Sequence, residues 1–120
     1  NNFMVYKEHF AISVYDADAN PDNKVAASKA AEQLIGIENI NASFVLYITD
    51  NGFHLSARSD GSVNVINIAK LLGGGGHFQS AGAIIRRREG KDFTTPVYDP
   101  DEALEILESA IDEYLETQTV

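Results

Sequence analysis

The sequence predicts an α/β domain built on a single mixed β-sheet that contains a β-hairpin and is flanked by helices. Three patterns indicate this fold: an alanine-rich helical stretch, a hairpin pattern in the middle of the chain, and a long amphipathic stretch near the C-terminus. Strands and helices mixed along one length of chain are typical of one sheet covered by helices. A chain of 120 residues, of which 44% are hydrophobic, can bury one core of this kind.

The first predicted elements are a strand and a helix of small residues. Residues 10–15 alternate large apolar side chains with smaller or polar ones, which is the period of a β-strand. A helix is expected to begin at Pro21, with Asn20 as its N-cap, and to stop at Gly36. Its many alanines indicate close packing on a sheet.

A β-hairpin is predicted next. Residues 44–49 and 53–59 are rich in β-branched and aromatic side chains, and Asn51-Gly52 between them is a pair favoured in type I′ turns. Alternation along the second strand divides its side chains between two faces. One face carries Phe53, Leu55 and Ala57, and the other carries a polar stripe of His54, Ser56 and Arg58.

The remaining predicted elements are a short helix, a strand and a long helix. Asn64 is expected to cap a helix that runs to Leu72, and residues 83–88 to form a strand whose last residues are arginines that extend past its end. The long helix is expected to begin with a variant of the capping box and to pack through one apolar face. The capping residues are Asp99, Pro100 and Glu102, and the apolar face consists of Leu104, Leu107, Ile111, Tyr114 and Leu115.

These elements place the domain at residues 10–116, with residues 1–9 as a linker or N-terminal extension and residues 117–120 as a tail. Because the chain opens on Asn1 instead of methionine, we expect it to be a fragment of a longer protein. It has no cysteine, which excludes a disulfide framework and a thiolate metal site. Its apolar runs are far shorter than a membrane span requires, so we expect no direct membrane contact. The absence of cysteine fits a reducing, cytoplasmic compartment, and we expect a cytoplasmic domain.

The charge of the chain limits its partners. Eighteen acidic and nine basic residues give a formal net charge of −9. This charge repels the phosphate backbone of long nucleic acids, and a small nucleotide is easier to reconcile with it. The acidic residues of the predicted C-terminal helix are expected to form a solvated face.

The segment Gly73-Gly74-Gly75-Gly76-His77 is the part of the chain that is hardest to explain by structure alone. Glycine permits positive φ and close approach, but consecutive glycines cost conformational entropy on folding. Gly73 fits the end of a helix. Gly74 to Gly76 predict a loop whose backbone N–H groups approach an anion, and phosphate is the natural candidate.

Two segments carry a resemblance to a known family. Residues 56–65 read Ser-Ala-Arg-Ser-Asp-Gly-Ser-Val-Asn-Val, and residues 73–83 read Gly-Gly-Gly-Gly-His-Phe-Gln-Ser-Ala-Gly-Ala. In this order and spacing they resemble the DHH-associated domain of the DHH phosphodiesterase superfamily. The resemblance is greatest to the C-terminal domain of membrane-bound cyclic-di-AMP phosphodiesterases of the GdpP type, and it covers residues 10–88.

This resemblance implies a substrate-binding domain of a manganese-dependent phosphodiesterase that hydrolyses cyclic di-AMP to linear pApA. In that family a DHH domain of the same parent chain binds Mn²⁺ through an Asp-His-His motif and closes the nucleotide against this second domain. The present sequence has no such motif, and its three histidines have no carboxylate at metal-ligand spacing. We therefore expect no metal site, no cofactor and no activity in this chain alone. Dimerisation is left open.

The resemblance also implies roles for individual residues. His77 is expected to act in catalysis by donating a hydrogen bond to a phosphate oxygen as charge develops. Arg58 would hold a phosphate or stack on a base, and Phe78 would stack on adenine. The other expected substrate-binding residues are Ser59, Asn64, Gly73, Gly74, Gly75 and Gly76.

Structural roles stay open for several of these residues. Arg58 could pair with an acidic neighbour, Asn64 could act only as a helix cap, and Phe78 could wedge the loop against the core. His54 is interpreted as a solvent-facing strand residue. The arginines at 86–88 could reach a phosphate, but they are interpreted first as charges that blunt the end of a strand.

Two other functions also stay open. One is a short-oligoribonucleotide and phosphoadenosine phosphatase of the same superfamily, whose motifs overlap with these. The other is a non-catalytic RNA-binding module like the related C-terminal domain of alanyl-tRNA synthetases, and the strong negative charge weighs against it.

Overall fold

The computed structural model describes residues 2–118 and confirms a mixed α/β domain. Six strands form the main sheet: β1 (Met4–Tyr6), β2 (Phe10–Tyr15), β3 (Ala42–Thr49), β4 (Gly52–Ser59), β5 (Gly75–Gly76) and β6 (Ser80–Ile84). A separate two-stranded sheet consists of β7 (Arg86–Glu89) and β8 (Asp92–Pro96). The helices of the described chain are α1 (Asn23–Leu34), α2 (Val65–Leu71) and α3 (Pro100–Gln118).

The main sheet has the spatial order β1-β2-β3-β4-β6-β5. Strands β2 and β3 are parallel, because α1 carries the chain back between them, and the other neighbouring strands are antiparallel. In the register of β4 and β6, Arg58 lies opposite Ser80 and His54 lies opposite Ile84. This register fixes which residues of β4 and β6 lie side by side on each face of the sheet.

The two faces of the sheet are covered differently. The larger core lies under α2 and α3, and the side chains of Phe44, Phe53 and Leu55 are buried in it. The smaller core lies under α1, which packs through alanines and Leu34 as the sequence predicted. Helix α1 lies mostly over β3 and reaches β4. The polar side of β4 and the neighbouring β6 are therefore left partly open.

The start of α1 differs from the prediction. The helix begins at Asn23 with Asp22 as its N-cap, two residues later than the predicted position. The side-chain oxygen of Asn20 accepts a hydrogen bond from the N–H of Asp22 at 2.8 Å. Asn20 thus forms a local turn with the residue two positions on instead of capping the helix. The C-cap is Ile35, directly before the predicted stop at Gly36.

The predicted β3–β4 hairpin is confirmed, but the prediction of a type I′ turn is wrong. A type I′ turn needs positive φ at both of its central residues. The two residues between the strands are Asp50 and Asn51, and neither has positive φ, whereas Gly52 has φ +92°. The glycine is therefore the first residue of the returning strand. A Cβ there would lie 2.7 Å from the carbonyl oxygen of Val97, so close packing also requires glycine.

Residues 83–88 do not form one strand, so that prediction is wrong. Strand β6 ends just before the fully buried Ile85, and β7 begins at Arg86 in the second sheet. The N–H of Ile85 donates to the carbonyl of Phe53 at 2.8 Å, and its carbonyl accepts from the N–H of Val97 at 3.3 Å. The arginines consequently lie in the β7–β8 hairpin and do not extend past a strand end.

The stretch expected to be a linker or extension, residues 1–9, contributes the edge strand β1. The hydroxyl of Tyr6 donates to Oδ1 of Asp112 on α3 at 2.7 Å. Nζ of Lys7 lies 3.8 Å from the same carboxylate oxygen. Burial, followed by the hydrogen bond to Asp112 and the nearby negative charges, raises the pKa of Tyr6 to about 12. These contacts attach β1 to the C-terminal helix.

Helix α3 begins at Pro100 as predicted, but Glu102 does not complete a capping box. Oδ1 of Asp99 accepts a hydrogen bond from the N–H of Asp101 at 3.0 Å. Both carboxylate oxygens of Glu102 accept from Arg87 of β7 instead, at 2.6 Å and 2.9 Å. An arginine fork binds a carboxylate better than a single backbone N–H does, so the side chain turns outward.

The rest of α3 has the predicted apolar face. Its buried residues are Ala103, Leu107, Ala110, Ile111 and Tyr114, with Leu104 and Leu115 half-buried at the edges. None of its acidic side chains is buried, which confirms the solvated acidic face. The helix runs to Gln118, and positions 119–120 of the expected tail lie outside the described residues.

Candidate functional site

A cleft of about 690 Å³ lies beside α1, over strands β4 and β6. Its floor includes the predicted polar stripe of β4, and one wall includes Lys24 and Ser28 of α1. The glycine segment 73–76 lies on the other side, with Arg86 of β7 and Phe93 of β8 nearby. Small residues of β6, such as Gly82, keep the floor low enough for a ligand to approach the backbone.

Helix α1 and strand β4 carry matching polar stripes along this cleft. Residues four apart on a helix lie about 6 Å apart on one face, and residues two apart on a strand lie about 6.6 Å apart. The two stripes therefore stay level with each other as three layers: Lys24 with His54, Ser28 with Ser56, and Glu32 with Arg58. In the middle layer the two hydroxyl oxygens are 3.4 Å apart.

Arg58 is held by contacts within the domain. Its Nε donates to Oε1 of Glu32 at 3.0 Å, and its Nη1 donates to Oγ of Ser56 at 3.2 Å and to the carbonyl of Ala57 at 2.8 Å. The side chain is 15% exposed and lines the cleft. The pairing with an acidic neighbour that the sequence left open is therefore present. It partly balances the positive charge that a phosphate would meet.

His54 is not solvent-facing, so that interpretation is wrong. The residue is half-buried and lines the cleft, and its ring lies 5.5 Å from the ring of Tyr47. Burial, and then the charges of Lys24 and Arg86, lower the pKa of His54 from its ordinary value. Its Nε2 is buried without a hydrogen-bond partner among the described residues, as is Nε of Arg86. The ring is thus neutral at neutral pH, and one of its nitrogens lacks a hydrogen-bond partner among the described residues.

The formal charges on the lining of the cleft are all positive. Lys24, Arg58 and Arg86 contribute to it, and no aspartate or glutamate within residues 2–118 does. In a chain with 18 acidic and nine basic residues, this distribution is opposite to the overall charge. A cleft of this kind attracts small anions even though the whole domain repels polyanions.

Lys24 is a cleft residue that the sequence does not single out, and Arg86 was expected first to blunt the end of a strand, with contact to a phosphate as the alternative. The spacing of Lys24, Ser28 and Glu32 along α1 is a signal of one shared helix face. That signal does not reveal which strand the face meets. The position of Arg86 follows from the break at Ile85, for which the sequence carries no evident signal.

Three of the four glycines have structural reasons for being glycine. Gly73 and Gly76 have φ values of +80° and +139°. A Cβ on Gly74 would lie 2.6 Å from Cβ of Ala83, and one on Gly76 would lie 2.5 Å from Cα of Ala81. The close approach of β6 therefore accounts for Gly74 and Gly76 without a ligand.

Gly75 differs from its three neighbours. A Cβ built on Gly75 would meet no atom within 4 Å, and its φ is not positive. The residue lines the cleft. The fold of the described chain thus does not require glycine at this position. A ligand that approaches the backbone closely would require it, because a side chain would stand in its way.

His77 and Phe78 lie outside the lining of the cleft, in the turn between β5 and β6. Both are exposed, and the side chain of Phe78 does not wedge against the core. Their backbones hold the turn: the N–H of His77 donates to the carbonyl of Ser80 at 2.7 Å, and the carbonyl of Phe78 accepts from Val65 at 3.0 Å. The two side chains therefore face outward from this domain.

Ser59 and Asn64 also lie outside the lining of the cleft. Ser59 is 3% exposed, and its Oγ accepts hydrogen bonds from the N–H groups of Gly61 and Val63. Asn64 is the N-cap residue of α2, as predicted, but its side chain makes no capping hydrogen bond. Its Oδ1 is buried without a partner among the described residues. Of the predicted site residues, the structure brings together Arg58 and the glycines in one cleft and places the other four around it.

The described residues contain no group of three or more histidine, cysteine, aspartate or glutamate side chains arranged to hold a metal ion. The side chains of the described residues therefore do not fit a Mn²⁺ site within the domain. No helix between residues 2 and 118 is long and apolar enough to cross a membrane.

The fold and the cleft define an α/β domain with a positively charged groove beside a glycine segment. Residues 7–117 match the DHHA1 domain, and the chain belongs to this family. The resemblance drawn from residues 56–65 and 73–83 is thereby confirmed.

Two relatives are similar over nearly the whole chain. The chain is 35% identical over 116 residues to the cyclic-di-AMP phosphodiesterase PdeA of Listeria monocytogenes and 35% identical over 115 residues to the cyclic-di-AMP phosphodiesterase GdpP of Bacillus subtilis. These matches cover 96% and 94% of this chain but 16% of each relative. The chain therefore spans a small part of the length of these enzymes.

Solved structures share the fold. An exopolyphosphatase-related protein from Bacteroides fragilis matches 99% of this chain and 33% of its own, with a TM-score of 0.66 and 21% identity. The pGpG-specific phosphodiesterase PggH from Vibrio cholerae matches 93% of this chain and 35% of its own, with a TM-score of 0.53 and 13% identity. In each case the similarity covers about a third of the solved chain.

Proposed function

We propose that this chain is the substrate-binding domain of a phosphodiesterase that hydrolyses cyclic di-AMP to linear pApA. The observation that carries the proposal is the cleft lined by three positive charges and no carboxylate, beside the open backbone of Gly75. Relatives that are 35% identical over nearly the whole chain carry the name of this activity. In this proposal a DHH domain of the same parent chain holds Mn²⁺ on the cytoplasmic side of a membrane-anchored protein.

The chemistry of the cleft suits a nucleotide phosphate. Backbone at Gly75 can approach a phosphate oxygen without a side chain in the way, and Arg58 supplies a charged donor across the cleft. Glu32 holds Arg58 in place before the ligand binds, and the remaining donors of the guanidinium can bond a phosphate. His77 and Phe78, which face outward, would meet the part of the substrate that the DHH domain covers.

The test compares two glycine variants in the 120-residue chain. Gly75→Val puts its side chain into open space over the cleft, so we expect a folded protein with at least about tenfold weaker nucleotide binding. Gly74→Ala forces a Cβ against β6, so we expect a lower melting temperature. The measurement is an NMR titration with cyclic di-AMP, combined with thermal unfolding of both variants.

In the unchanged chain we expect weak binding, because half of a cleft lacks the wall that would bury the ligand. The shifted amides should be those of residues 73–77 and those near Arg58. Shifts confined to the acidic helix α3, or wild-type binding by Gly75→Val, would contradict the proposal. Competition by short oligoribonucleotides that exceeds competition by cyclic di-AMP would favour the oligoribonucleotide phosphatase instead.

A further inference from the structure

The cleft has two cationic ends whose charge is balanced differently. His54 and Arg58 are four residues apart on β4, which corresponds to about 13 Å along a strand. Glu32 balances the charge at the Arg58 end. Lys24 and Arg86, at the His54 end, form no ion pair with any residue from 2 to 118. The unbalanced positive charge therefore lies at the end away from Arg58.

The fold brings the three basic side chains of this end together from separate elements. Lys24 lies in the first turn of α1, in the layer that faces His54. The pairing of β4 with β6 puts Ile84 opposite His54, and Arg86 follows two residues later at the start of β7. All three side chains line the cleft.

Two nitrogen atoms at this end are buried and unpaired within the described chain, namely Nε2 of His54 and Nε of Arg86. Buried polar atoms are normally hydrogen-bonded. The residues that carry these two atoms line the cleft, so a ligand bound there is the nearest source of a partner from outside the domain. Nε of an arginine can only donate, and Nε2 of a histidine donates when the ring is protonated. A partner for Nε of Arg86 must therefore offer acceptor atoms, and the neighbouring charge of Lys24 favours an anionic one.

We propose that Lys24, His54 and Arg86 form a subsite for a dianionic phosphate monoester, the terminal phosphate of a linear dinucleotide. This subsite rests on the proposed function, which supplies the nucleotide. A monoester carries up to two negative charges and three acceptor oxygens, whereas each phosphodiester of a cyclic dinucleotide carries one charge. The subsite consequently holds the linear product more tightly than the cyclic substrate.

His54 makes the subsite sensitive to pH. The groups that face it are Lys24 from α1, Tyr47 from β3 and Arg86 from β7, and none of them is an acid that would stabilise the imidazolium. Its pKa is therefore below the ordinary value in the free domain, and a bound dianion raises it. Anion affinity then increases as the pH falls through and below the ordinary range of histidine.

The test uses sulfate, which keeps its double charge from about pH 5 to about pH 8, where histidine titrates. The 120-residue chain is titrated with sulfate while NMR follows the imidazole signals of all three histidines. Sulfate should raise the pKa of His54 and leave the imidazole signals of His9 unperturbed, because His9 does not line the cleft. Affinity should rise roughly threefold to tenfold between the alkaline and acidic limits, and His54→Gln should abolish this rise.

Matched lysine variants locate the anion. Lys24→Gln and Arg86→Gln should each weaken sulfate binding roughly threefold to tenfold. Lys29→Gln should not, because Lys29 is exposed on the same helix and does not line the cleft. Lys24→Gln should also weaken the binding of linear pApA more than that of cyclic di-AMP.

The outcomes separate this subsite from the proposed function. Sulfate that leaves the pKa of His54 unchanged, or binds equally to Lys24→Gln and Lys29→Gln, would overturn the subsite even where cyclic di-AMP still shifts the amide of Gly75. Equal losses for both nucleotides in Lys24→Gln would overturn the preference for a monoester. If sulfate binds as expected but neither nucleotide binds, the proposed function and the assignment of a nucleotide ligand are both wrong. The subsite would then be a simple anion site.

Discussion

Arg58 and His77 occupy different positions relative to the cleft, and this difference separates the roles expected of them. Arg58 lies on the floor, where Glu32 and Ser56 orient its guanidinium. His77 is exposed in the turn before β6, outside the lining. A domain that closes over the cleft can place a reacting phosphate against His77 while the distal part of the nucleotide stays on Arg58.

Kinetics of the proposed two-domain enzyme test these roles. We expect His77→Ala to lower kcat about 100-fold, because a donor beside the reacting phosphate meets charge that grows in the transition state. Arg58→Ala should mainly raise KM, because a guanidinium that holds a distal group binds both states alike. His9→Ala is the control, since His9 is exposed on the β1–β2 connection. A value of kcat for His77→Ala within about twofold of wild type would make His77 a structural loop residue.

The residues of the cleft show where prediction from sequence stops. Alternation along β4 was sufficient to put His54 and Arg58 on one face, because the period of a strand is a local property. The degree to which His54 is exposed is not a local property, because it depends on other elements, from which Lys24 and Arg86 approach the ring. The glycine segment was recognised as special backbone, but only the packing of β6 separates Gly74 and Gly76 from Gly75.

Among the elements, β1 depends most clearly on contacts that are distant in sequence. It is three residues long and lies at the edge of the sheet, paired only with β2. Met4 and Val5 are exposed and Tyr6 is half-buried against the core, so burial contributes to its position through one side chain. The hydrogen bond from Tyr6 to Asp112 joins it to α3 and is therefore its main long-range attachment.

Replacing Tyr6 measures this attachment. Tyr6→Phe should lower the free energy of unfolding at neutral pH by about 1 kcal/mol, since it removes a hydrogen bond to a carboxylate. The folded pKa of Tyr6 is raised to about 12 from its usual 10.0, so the contribution is complete below pH 10 and is lost as the pH rises toward about 12. Urea unfolding measures the first effect, and spectrophotometric titration of the phenols measures the second.

The control for this variant is Tyr15→Phe, because the hydroxyl of Tyr15 makes no hydrogen bond within the described chain. Equal stability losses in the two variants would assign the effect to the aromatic ring and not to the bond with Asp112. A titration in which Tyr6→Phe removes no late-titrating phenol would contradict the raised pKa.

The elements with strong local patterns were predicted, and those without them were missed. The β3–β4 hairpin and α3 have long periodic stretches, so local pattern and tertiary packing agree. Strands β1, β5 and β8 have five residues or fewer and little alternation, and their existence depends on the neighbour that each one finds. The break at Ile85 has the same cause, because bonds to Phe53 and Val97 decide where β6 ends.

At the scale of the whole molecule, the domain forms a cleft that is open on one side. The sheet supplies the floor of the cleft, and α1 and the glycine segment supply two walls, while the remaining side is open. His77 and Phe78 are exposed and face outward. The arrangement suits a domain that positions a substrate while another domain supplies the reacting water.

Catalysis by this domain alone would require a metal site of its own. Metal-activated hydrolysis needs a ligand set that lowers the pKa of a bound water, and no cluster of three or more suitable side chains exists within residues 2–118. We therefore expect the 120-residue chain with Mn²⁺ to hydrolyse neither cyclic di-AMP nor bis-(p-nitrophenyl) phosphate, whereas the chain joined to the proposed DHH domain should turn over both. The two preparations are assayed side by side after a repeated affinity step, with Gly75→Val as the control in each. Turnover by the isolated chain that survives this step and falls in Gly75→Val would mean that the domain carries catalysis itself.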